Sequence, residues 1–285
     1  MFEAVARVIP SSWRFEYGYA RLRAPKVRGR VDPDAAAERA VVAGLAARGI
    51  EVEDRRVDVS AYWAFVREAE YPQRYAGYYA GNLVEKSLEH FIAQDLLGLG
   101  PNDVYVDIAS EDSPVPEIYH RLTGSETYAQ DLAFPAGRNG RQIGGSAAAM
   151  PVPDGFATKM ALHCSFEHFE GDADRGFVSE CCRVLRPGGR VVVVPLYLTD
   201  RYAIQTDPVV SVPAGVEFEA DATLHAARRW GNRHGRFYDP GHLVDRLIRP
   251  NAGRLRFSIV RFTNLGEIDP SCYARFALVI DRLAD

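Results

Sequence analysis

The stretch that decides the fold is residues 150–198, MPVPDGFATKMALHCSFEHFEGDADRGFVSECCRVLRPGGRVVVVPLYL. After a loop with Asp-Gly, the apolar run 156–165 predicts a strand, and residues 172–185 carry an apolar stripe at helical spacing. Pro187 stops that helix, and the two glycines after it permit a tight turn with positive φ. The valine-rich residues 190–196 then predict a fully buried strand. This order is typical of a parallel sheet covered by helices.

The alternation of strands and helices continues on both sides of this stretch. We expect a Rossmann-like α/β fold with a mostly parallel seven-stranded sheet, helices on both faces, and an antiparallel hairpin at the edge. The remaining strands are predicted at 103–109, 126–132, 141–147, 255–263 and 273–283, and helices at 115–124 and 239–248.

The first 82 residues predict a partly helical N-terminal extension. Asp32 is the expected N-cap of a helix that stops at Gly49, and residues 50–59 predict an edge strand or an exposed extended segment. We expect residues 83–285 to form the main domain, with 197–238 as an insertion on the substrate side.

Composition and charge exclude several classes of protein. The 285 residues are 47% hydrophobic and 25% charged, and 34 basic against 38 acidic side chains give a net charge of −4. This balance argues against broad binding to nucleic acid. No apolar run approaches the roughly 20 residues of a membrane span, and no signal peptide is recognisable. Four cysteines are too few for a disulfide framework. We therefore expect a cytoplasmic protein with reduced cysteines.

The segment RVLRPGG followed by a buried strand, together with Glu167-His168-Phe169 after the preceding strand, resembles class I S-adenosylmethionine-dependent methyltransferases. The resemblance covers residues 83–283 and points to the branch that acts mostly on small molecules. It implies S-adenosylmethionine as cofactor, over the carboxyl ends of the first three strands of the domain.

The resemblance also assigns roles to individual residues. Asp107 matches the acidic residue that ends the first strand and organises the cofactor loop. Asp131 matches the carboxylate that accepts hydrogen bonds from the ribose hydroxyls. Ser146 and Ala147 stand at the position that contacts the adenine, and His163 at the end of the fourth strand faces the methyl-transfer site.

The cofactor loop, residues 107–116 (DIASEDSPVP), departs from the family because it contains no glycine. Ala109 is small enough to replace the first glycine if its φ is negative, and the hydroxyl of Ser110 could contact the cofactor. Glu111 and Asp112 would bring negative charge near the methionine carboxylate. A chain that has lost the cofactor therefore remains the alternative.

Proton transfer and acceptor binding are predicted from histidines and arginines. His163 is the first choice for a catalytic base, followed by His234 and His242. The basic run 228–236, RRWGNRHGR, would attract an anionic acceptor such as a phosphorylated or carboxylated sugar; its arginines are Arg228, Arg229, Arg233 and Arg236. A solvated helix face is the competing interpretation.

Three functions follow in order of preference. The first is methyl transfer from S-adenosylmethionine to a small molecule or glycan, at oxygen rather than nitrogen. The second is a non-catalytic methyltransferase-like binding or scaffold protein. A nucleic-acid methyltransferase is disfavoured because no Asn/Asp-Pro-Pro-aromatic motif follows the fourth strand. The spacing of the cysteines and histidines at 163–182 does not match a compact zinc module, so no metal is expected.

Overall fold

The structure, a computed structural model, describes residues 10–284. The chain divides into two compact units, each built from separate segments. The first unit contains the described residues up to Gly44, with Glu167–Asp172 and Tyr197–Leu243, and the second contains Leu45–Phe166, Ala173–Leu196 and the residues from Val244 onward. The division expected from the sequence, at residue 83 with an insertion at 197–238, stays a prediction.

The described residues form strands and helices along the whole chain. In chain order the strands are β1 (Lys26–Arg28), β2 (Val52–Arg55), β3 (Val104–Ile108), β4 (Glu126–Asn139), β5 (Gln142–Gly144), β6 (Ala157–His163), β7 (Leu185–Val194), β8 (Ala203–Thr206), β9 (Thr223–Ala226), β10 (Gly235–Phe237), β11 (Leu255–Phe262) and β12 (Phe276–Arg282). The α-helices are Ser11–Arg21, Ala35–Ala46, Val59–Glu68, Tyr71–Arg74, Leu83–Leu97, Val115–Thr123, Ala173–Val184, Pro208–Ala214 and Pro240–Leu243, the last continuing as a π-helical turn over Val244–Ile248.

The second unit is built on an eight-stranded sheet in the order β2-β11-β12-β7-β6-β3-β4-β5. Strands β4, β3, β6 and β7 run parallel, whereas β12 is antiparallel to both β7 and β11. The predicted mostly parallel sheet with an antiparallel hairpin is confirmed. The sheet has one strand more than the seven predicted, because β2 adds to the edge by pairing parallel with β11.

The RPGG turn is a four-residue bulge at the beginning of β7. Ala157 of β6 pairs with Leu185, and Lys159 pairs with Arg190, so residues 186–189 oppose one residue of β6. Gly188 has φ +77°, and a Cβ on Gly189 would lie 2.8 Å from the carbonyl oxygen of Arg186. Both glycines are therefore required by geometry, as the sequence indicated.

Helix ends follow local capping. The helix Val115–Thr123 ends at Gly124, which has φ +75°. The amide nitrogen of His242 bonds to Oδ1 of Asp239 at 2.7 Å, which confirms the predicted cap there. The cap predicted at Asp32 is wrong: Oδ1 of Asp34 accepts bonds at 2.8 Å from the amides of residues 36 and 37.

The alternation of side chains along the strands places the candidate site. Tyr105 and Asp107 of β3 project to one face of the sheet, because residues two apart in a strand share a face. Ala161 pairs with Asp107 and His163 follows on the same side of β6. The buried core on this face includes Leu88 of the helix Leu83–Leu97. The helix therefore packs against the face of the sheet that carries Tyr105, Asp107 and His163.

The first unit contains a four-stranded sheet in the order β1-β9-β8-β10. Strands β8 and β9 are parallel, and β10 is antiparallel to β8. The helix Pro208–Ala214 is capped by Asp207, whose side chain accepts a bond from the amide of Val209. Among residues 10–284, no helix is both long and apolar enough to cross a membrane.

Candidate functional site

The centre of the site is Asp107, at the carboxyl end of β3. Its side chain is 2% exposed, and it accepts hydrogen bonds from the hydroxyls of Tyr105 at 2.9 Å and Ser110 at 2.7 Å. His163 Nε2 lies 3.5 Å from Oδ1 of Asp107. Burial raises the pKa of Asp107 to about 7; the two hydroxyls counteract this, and Asp131 adds to it. The carboxyl is thus poised to change charge near neutral pH.

The loop after β3 adopts a left-handed backbone without glycine. Ala109 has φ +53° and Glu111 has φ +48°, a region that side-chain-bearing residues rarely occupy. The condition under which Ala109 was expected to replace the first glycine, a negative φ, is therefore not met. Ser110 N donates to the carbonyl oxygen of Gln130 at 2.9 Å, so the neighbouring strand β4 holds the loop in place. Strain of this kind is concentrated at functional sites.

Asp131 lies within β4, where it pairs with Gly144 of β5 just before the register of the two strands shifts, and it binds the loop. Its Oδ2 accepts from the amide of Glu111 at 2.9 Å, and its Oδ1 accepts from the amide of Ala133 at 2.8 Å. The side chain is half-buried. A carboxylate offers about four lone-pair directions, so these two bonds leave capacity for a further donor. The structure thus brings Asp131 next to the loop; its predicted contact with ribose stays a prediction.

Ser146 and Ala147 follow β5. Ser146 is exposed, and its Oγ accepts a bond from the amide of Ala148 at 3.2 Å, whereas Ala147 is 7% exposed. Gln130 Nε2 donates to the carbonyl oxygen of Gly145 at 2.6 Å, which ties β4 to this turn. The turn thus connects to the strand that holds the loop; its contact with adenine stays a prediction.

His163 is almost enclosed at the end of β6. Its side chain is 6% exposed, Nε2 is 3.3 Å from the hydroxyl of Tyr105, and its ring meets that of His90 edge-on at 4.7 Å. Burial, with a contribution from the positive charge of Lys86, lowers the pKa of His163 to about 3. A histidine with that pKa is neutral at physiological pH and a weak base, which does not suit the predicted role.

The sequence interpretation missed the polar residues of the helix Leu83–Leu97. Leu88 and Glu89 follow Glu85 by three and four residues, so all three lie on the same buried side of the helix. Lys86 pairs with Glu89 at 3.0 Å, and the hydroxyl of Tyr71 bonds to His90 Nδ1 at 2.6 Å. Charged residues at positions that the apolar periodicity assigns to the core were the available signal.

The aromatic residues upstream of this helix pack around His90 rather than forming an open surface. Tyr71 and Tyr79 both contact the His90 ring, and Tyr75 is 7% exposed. Tyr78 is 51% exposed. Burial raises the pKa of Tyr78, and the negative charges of Glu111, Asp112 and Asp107 add to this increase.

The predicted base His234 lies in the first unit and is 1% exposed. Its Nδ1 is 3.0 Å from the carbonyl oxygen of Glu167, and its own carbonyl oxygen is 2.5 Å from Nδ1 of His168. These reciprocal contacts fix the segment Glu167–Asp172 against β10. His242 lies on the same unit; burial alone would lower its pKa, but bonds to Asp221 and Asp239 raise it.

The arginines predicted to bind the acceptor divide into two groups. Arg228 and Arg229 are exposed, and Arg233, whose side chain is 56% exposed, pairs with Glu170. Arg236 is 0% exposed; its guanidinium bonds to Glu219, the hydroxyl of Tyr202 and two backbone carbonyls of the segment 169–171. A fully buried and bonded arginine is not placed to meet an acceptor, so the structure gives Arg236 a supporting role.

Two observations bear on whether the loop can hold the implied cofactor. Glu111 and Asp112 are both exposed, so neither side chain fills the space beside the loop backbone. Nδ1 of His163 is buried and has no hydrogen-bond partner among the described residues. The loop therefore fits a ligand despite its missing glycines. Residues 10–284 contain no cluster of three or more His, Cys, Asp or Glu side chains suited to a metal ion.

Comparison with protein families gives one match. Residues 104–193 match the family model described as "Methyltransferase domain". This segment runs from β3 to the end of β7 and contains both the cofactor loop and the RVLRPGG turn. The resemblance recognised in the sequence is confirmed. No curated protein matches the chain.

Solved structures resemble the chain at low identity. One is the 1,6-didemethyltoxoflavin-N1-methyltransferase of Burkholderia thailandensis (15% identity, 82% of this chain and 94% of that chain, TM-score 0.47), solved with S-adenosylhomocysteine. Another is the geranyl diphosphate C-methyltransferase of Streptomyces coelicolor (17% identity, 70% of this chain and 80% of that chain, TM-score 0.42). A third is a glycopeptide N-methyltransferase (14% identity, 70% of this chain and 94% of that chain, TM-score 0.46). These values are too low to carry an argument about function.

Proposed function

We propose that this chain, which carries a methyltransferase domain over residues 104–193, transfers a methyl group from S-adenosylmethionine to a small molecule or glycan, at an oxygen atom. The family match supports the reaction class and its usual cofactor. The nature of the acceptor and the choice of oxygen go beyond this match, and the labelling experiment below tests them.

The observation that carries the proposal is the backbone of the cofactor loop. Ala109 and Glu111 hold a left-handed conformation that glycine would adopt without strain. Each such residue costs about 1–2 kcal/mol, and bonds from β4 to Ser110 and from Asp131 to Glu111 maintain the shape. A ligand that lies against this loop would account for a conformation that the sequence of the loop disfavours.

The residues that would hold the cofactor follow from these contacts. Asp107 fixes Ser110, Asp131 fixes the amide of Glu111 and would accept from the ribose, and the turn at Ser146 and Ala147 would lie beside the adenine. When bound, the cofactor supplies a methyl group on a cationic sulfonium. The carboxyl groups of the buried Asp107 and the half-buried Asp131, both bonded to the loop, favour that positive charge when they are ionised.

We assign His163 to positioning rather than to proton transfer. Its Nε2 lies 3.3 Å from the hydroxyl of Tyr105 and 3.5 Å from Oδ1 of Asp107, so the ring packs against both side chains. The low pKa of His163 keeps the ring neutral, and a neutral imidazole adds no charge beside the sulfonium. His234, held by backbone carbonyls in the first unit, has contacts that support a structural role.

Acceptor binding by the exposed arginines remains part of the proposal. Arg228, Arg229 and Arg233 present positive charge at the surface of the first unit, and an anionic acceptor would be attracted to such charge. We propose Arg236 as the buried support of this segment rather than as a ligand-binding residue.

The proposal is tested by calorimetric titration of the full chain with S-adenosylmethionine and S-adenosylhomocysteine. Both ligands are expected to bind with one-to-one stoichiometry. Absence of binding by either ligand, with the protein shown to be folded, would overturn the proposal and leave the methyltransferase-like binding protein as the better explanation.

Catalysis is tested separately with S-adenosylmethionine labelled in its methyl group. The labelled cofactor is incubated with the protein and a fractionated cell extract. Label is expected in the small-molecule or glycan fraction, on oxygen. Cofactor binding without any transfer would favour the non-catalytic binding protein. Label in the nucleic-acid fraction would favour a nucleic-acid methyltransferase.

A further inference from the structure

A cavity lies between three helices of the second unit, outside the site described above. Its volume is about 380 Å³, within the roughly 300–1,000 Å³ that is usual for small-molecule pockets. The helix Val59–Glu68, the second half of the helix Leu83–Leu97 and the end of the helix Val115–Thr123 form its walls. Six apolar residues line it: Ala61, Ala64, Phe65, Phe91, Leu99 and Leu122.

The cavity and the cofactor loop lie at opposite edges of the sheet. Leu99 precedes β3 and Leu122 precedes β4 by a few residues each, so the cavity lies at the amino ends of these parallel strands. The cofactor loop follows the carboxyl end of β3. The five residues of β3, at about 3.3 Å per residue, separate the two edges by roughly 16 Å. A ligand of the cavity would therefore not compete with the cofactor.

Two hydrogen-bond acceptors of the cavity lack a donor. Glu68 is the last residue of its helix, and its exposed carboxylate makes no hydrogen bond or ion pair with any described residue. Oε1 of Gln94 is buried and has no partner among residues 10–284. A buried acceptor without a donor costs free energy, which a donor on a bound ligand would recover.

The neighbouring cations do not supply the missing donor. Asp95 also lines the cavity, but it is paired with Arg55 at 2.6 Å. Arg121 donates to the backbone carbonyl oxygen of Glu68 at 2.8 Å and not to its carboxylate. The residues that line the cavity within the described part of the chain include no lysine, arginine or histidine. The carboxylate of Glu68 therefore leaves the cavity with an unpaired negative charge.

We propose that this cavity binds an organic ammonium ion with an apolar body. The ammonium would donate to Glu68 and Gln94, and the negative end of the helix Leu83–Leu97, whose C-cap Gly98 lines the cavity, favours the same charge. The rings of Phe65 and Phe91 lie 5.6 Å apart and would contact the apolar body. An anion would be repelled by the carboxylate, and a neutral apolar molecule would leave both acceptors without a donor.

The proposal is tested by calorimetric titration of the full chain with benzylammonium at neutral pH. Two controls separate its parts: benzyl alcohol has the ring without the charge, and methylammonium has the charge without the ring. We expect benzylammonium to bind with one-to-one stoichiometry. Each control should bind at least about 10-fold more weakly, because a hydrogen bond to a charged group changes affinity by about that factor or more.

Three variants connect the binding to the cavity. Glu68→Gln keeps an acceptor oxygen but removes the charge, and should weaken benzylammonium binding about 10-fold or more. Glu51→Gln, at an exposed carboxylate outside the cavity, should leave the affinity within about twofold. Ala61→Leu puts a larger side chain into the cavity and should abolish binding. Because Ala61 is exposed, this variant should unfold in urea as the unchanged protein does.

A last titration identifies where the amine binds. Protein saturated with S-adenosylhomocysteine should bind benzylammonium with unchanged affinity, because the two sites lie at opposite edges of the sheet. Competition between the two ligands, equal binding of benzyl alcohol, or no binding of benzylammonium would overturn the proposal. Full affinity in Glu68→Gln or Ala61→Leu, or an equal loss in Glu51→Gln, would also overturn it. Failure to bind S-adenosylhomocysteine would contradict the proposed function alone, since the titrations without that ligand still test the cavity.

Discussion

Ser110 Oγ donates a hydrogen bond to Oδ2 of Asp107 over 2.7 Å, and both side chains are buried. This contact joins the end of β3 to the loop that follows it. Because the same carboxylate accepts from Tyr105 and faces His163, its protonation state is linked to the shape of the loop and to the core beneath it.

The first prediction concerns stability and pH. Burial raises the pKa of Asp107 from 3.8 to about 7. Since the folded state then holds a proton that the unfolded state releases, the contribution of Asp107 to stability is fully present below about pH 4 and is lost as pH rises through about 7. The full effect is at most about 4 kcal/mol, because one pKa unit corresponds to about 1.4 kcal/mol.

The variant Asp107→Asn isolates this contribution. The free energy of unfolding of both proteins is measured with urea at about pH 5 and about pH 8. The value for Asp107→Asn minus that for the unchanged protein should be larger at pH 8 than at pH 5. Asp103→Asn, at a half-buried carboxylate before the same strand, serves as the control. An equal difference between Asp107→Asn and the unchanged protein at both pH values would contradict the assignment.

The second prediction concerns the loop backbone. Ala109→Gly removes backbone strain of about 1–2 kcal/mol from the folded state. It also raises the conformational entropy of the unfolded chain, which costs about 0.4–1 kcal/mol of stability. We expect the free energy of unfolding to stay equal or to rise by up to about 1 kcal/mol. The same change at Ala40, exposed within the helix Ala35–Ala46, should lower it by about 1 kcal/mol. Similar losses at both positions would argue against the left-handed conformation.

These two predictions also show what the sequence could and could not reveal. Pro187 and two glycines fix a local turn, and apolar periodicity fixes strand and helix order, so the sheet was predictable. The loop was not, since bonds to Asp107 of β3 and to Gln130 and Asp131 of β4 hold it in a conformation that the side chains of Ala109 and Glu111 disfavour. Intrinsic propensity predicts the backbone conformation of a residue from its type alone, whereas these contacts come from other strands of the sheet.

The candidate site was predictable only in part, for a similar reason. Asp107 and Asp131 were recognised because they lie near the ends of the strands predicted at 103–109 and 126–132, although β4 continues to Asn139 in the structure. Glu85 and Glu89 stand at positions that the apolar periodicity assigns to the core, but their residue types alone do not reveal their partners. Arg236 was overvalued because a basic run does not reveal which arginine is buried. The pairing of β2 with β11 joins segments about 200 residues apart, and no local pattern encodes it.

The third prediction separates the two groups of arginines. Arg236→Met removes the guanidinium that donates to Glu219 and to two backbone carbonyls, and should lower the free energy of unfolding by about 3 kcal/mol. Arg233→Gln removes an exposed ion pair and should change it by less than about 1 kcal/mol. Urea unfolding of both variants measures the difference. A stable Arg236→Met variant would show that the guanidinium is not needed for folding and would restore it as a candidate for binding the acceptor.

The fourth prediction concerns Asp131 as the link between loop and ribose. Asp131→Asn retains one acceptor oxygen for the amide of Glu111 but loses the negative charge that favours hydroxyl donors. A hydrogen bond to a charged group contributes about 1.5–3 kcal/mol, so the affinity for S-adenosylhomocysteine should fall about 10- to 100-fold by calorimetry. Asp112→Asn changes an exposed carboxylate of the same loop and should leave the affinity within about twofold, because exposed charges contribute little. If the two variants lose affinity equally, the effect belongs to the net charge of the loop, and Asp131 has no specific role with the ribose.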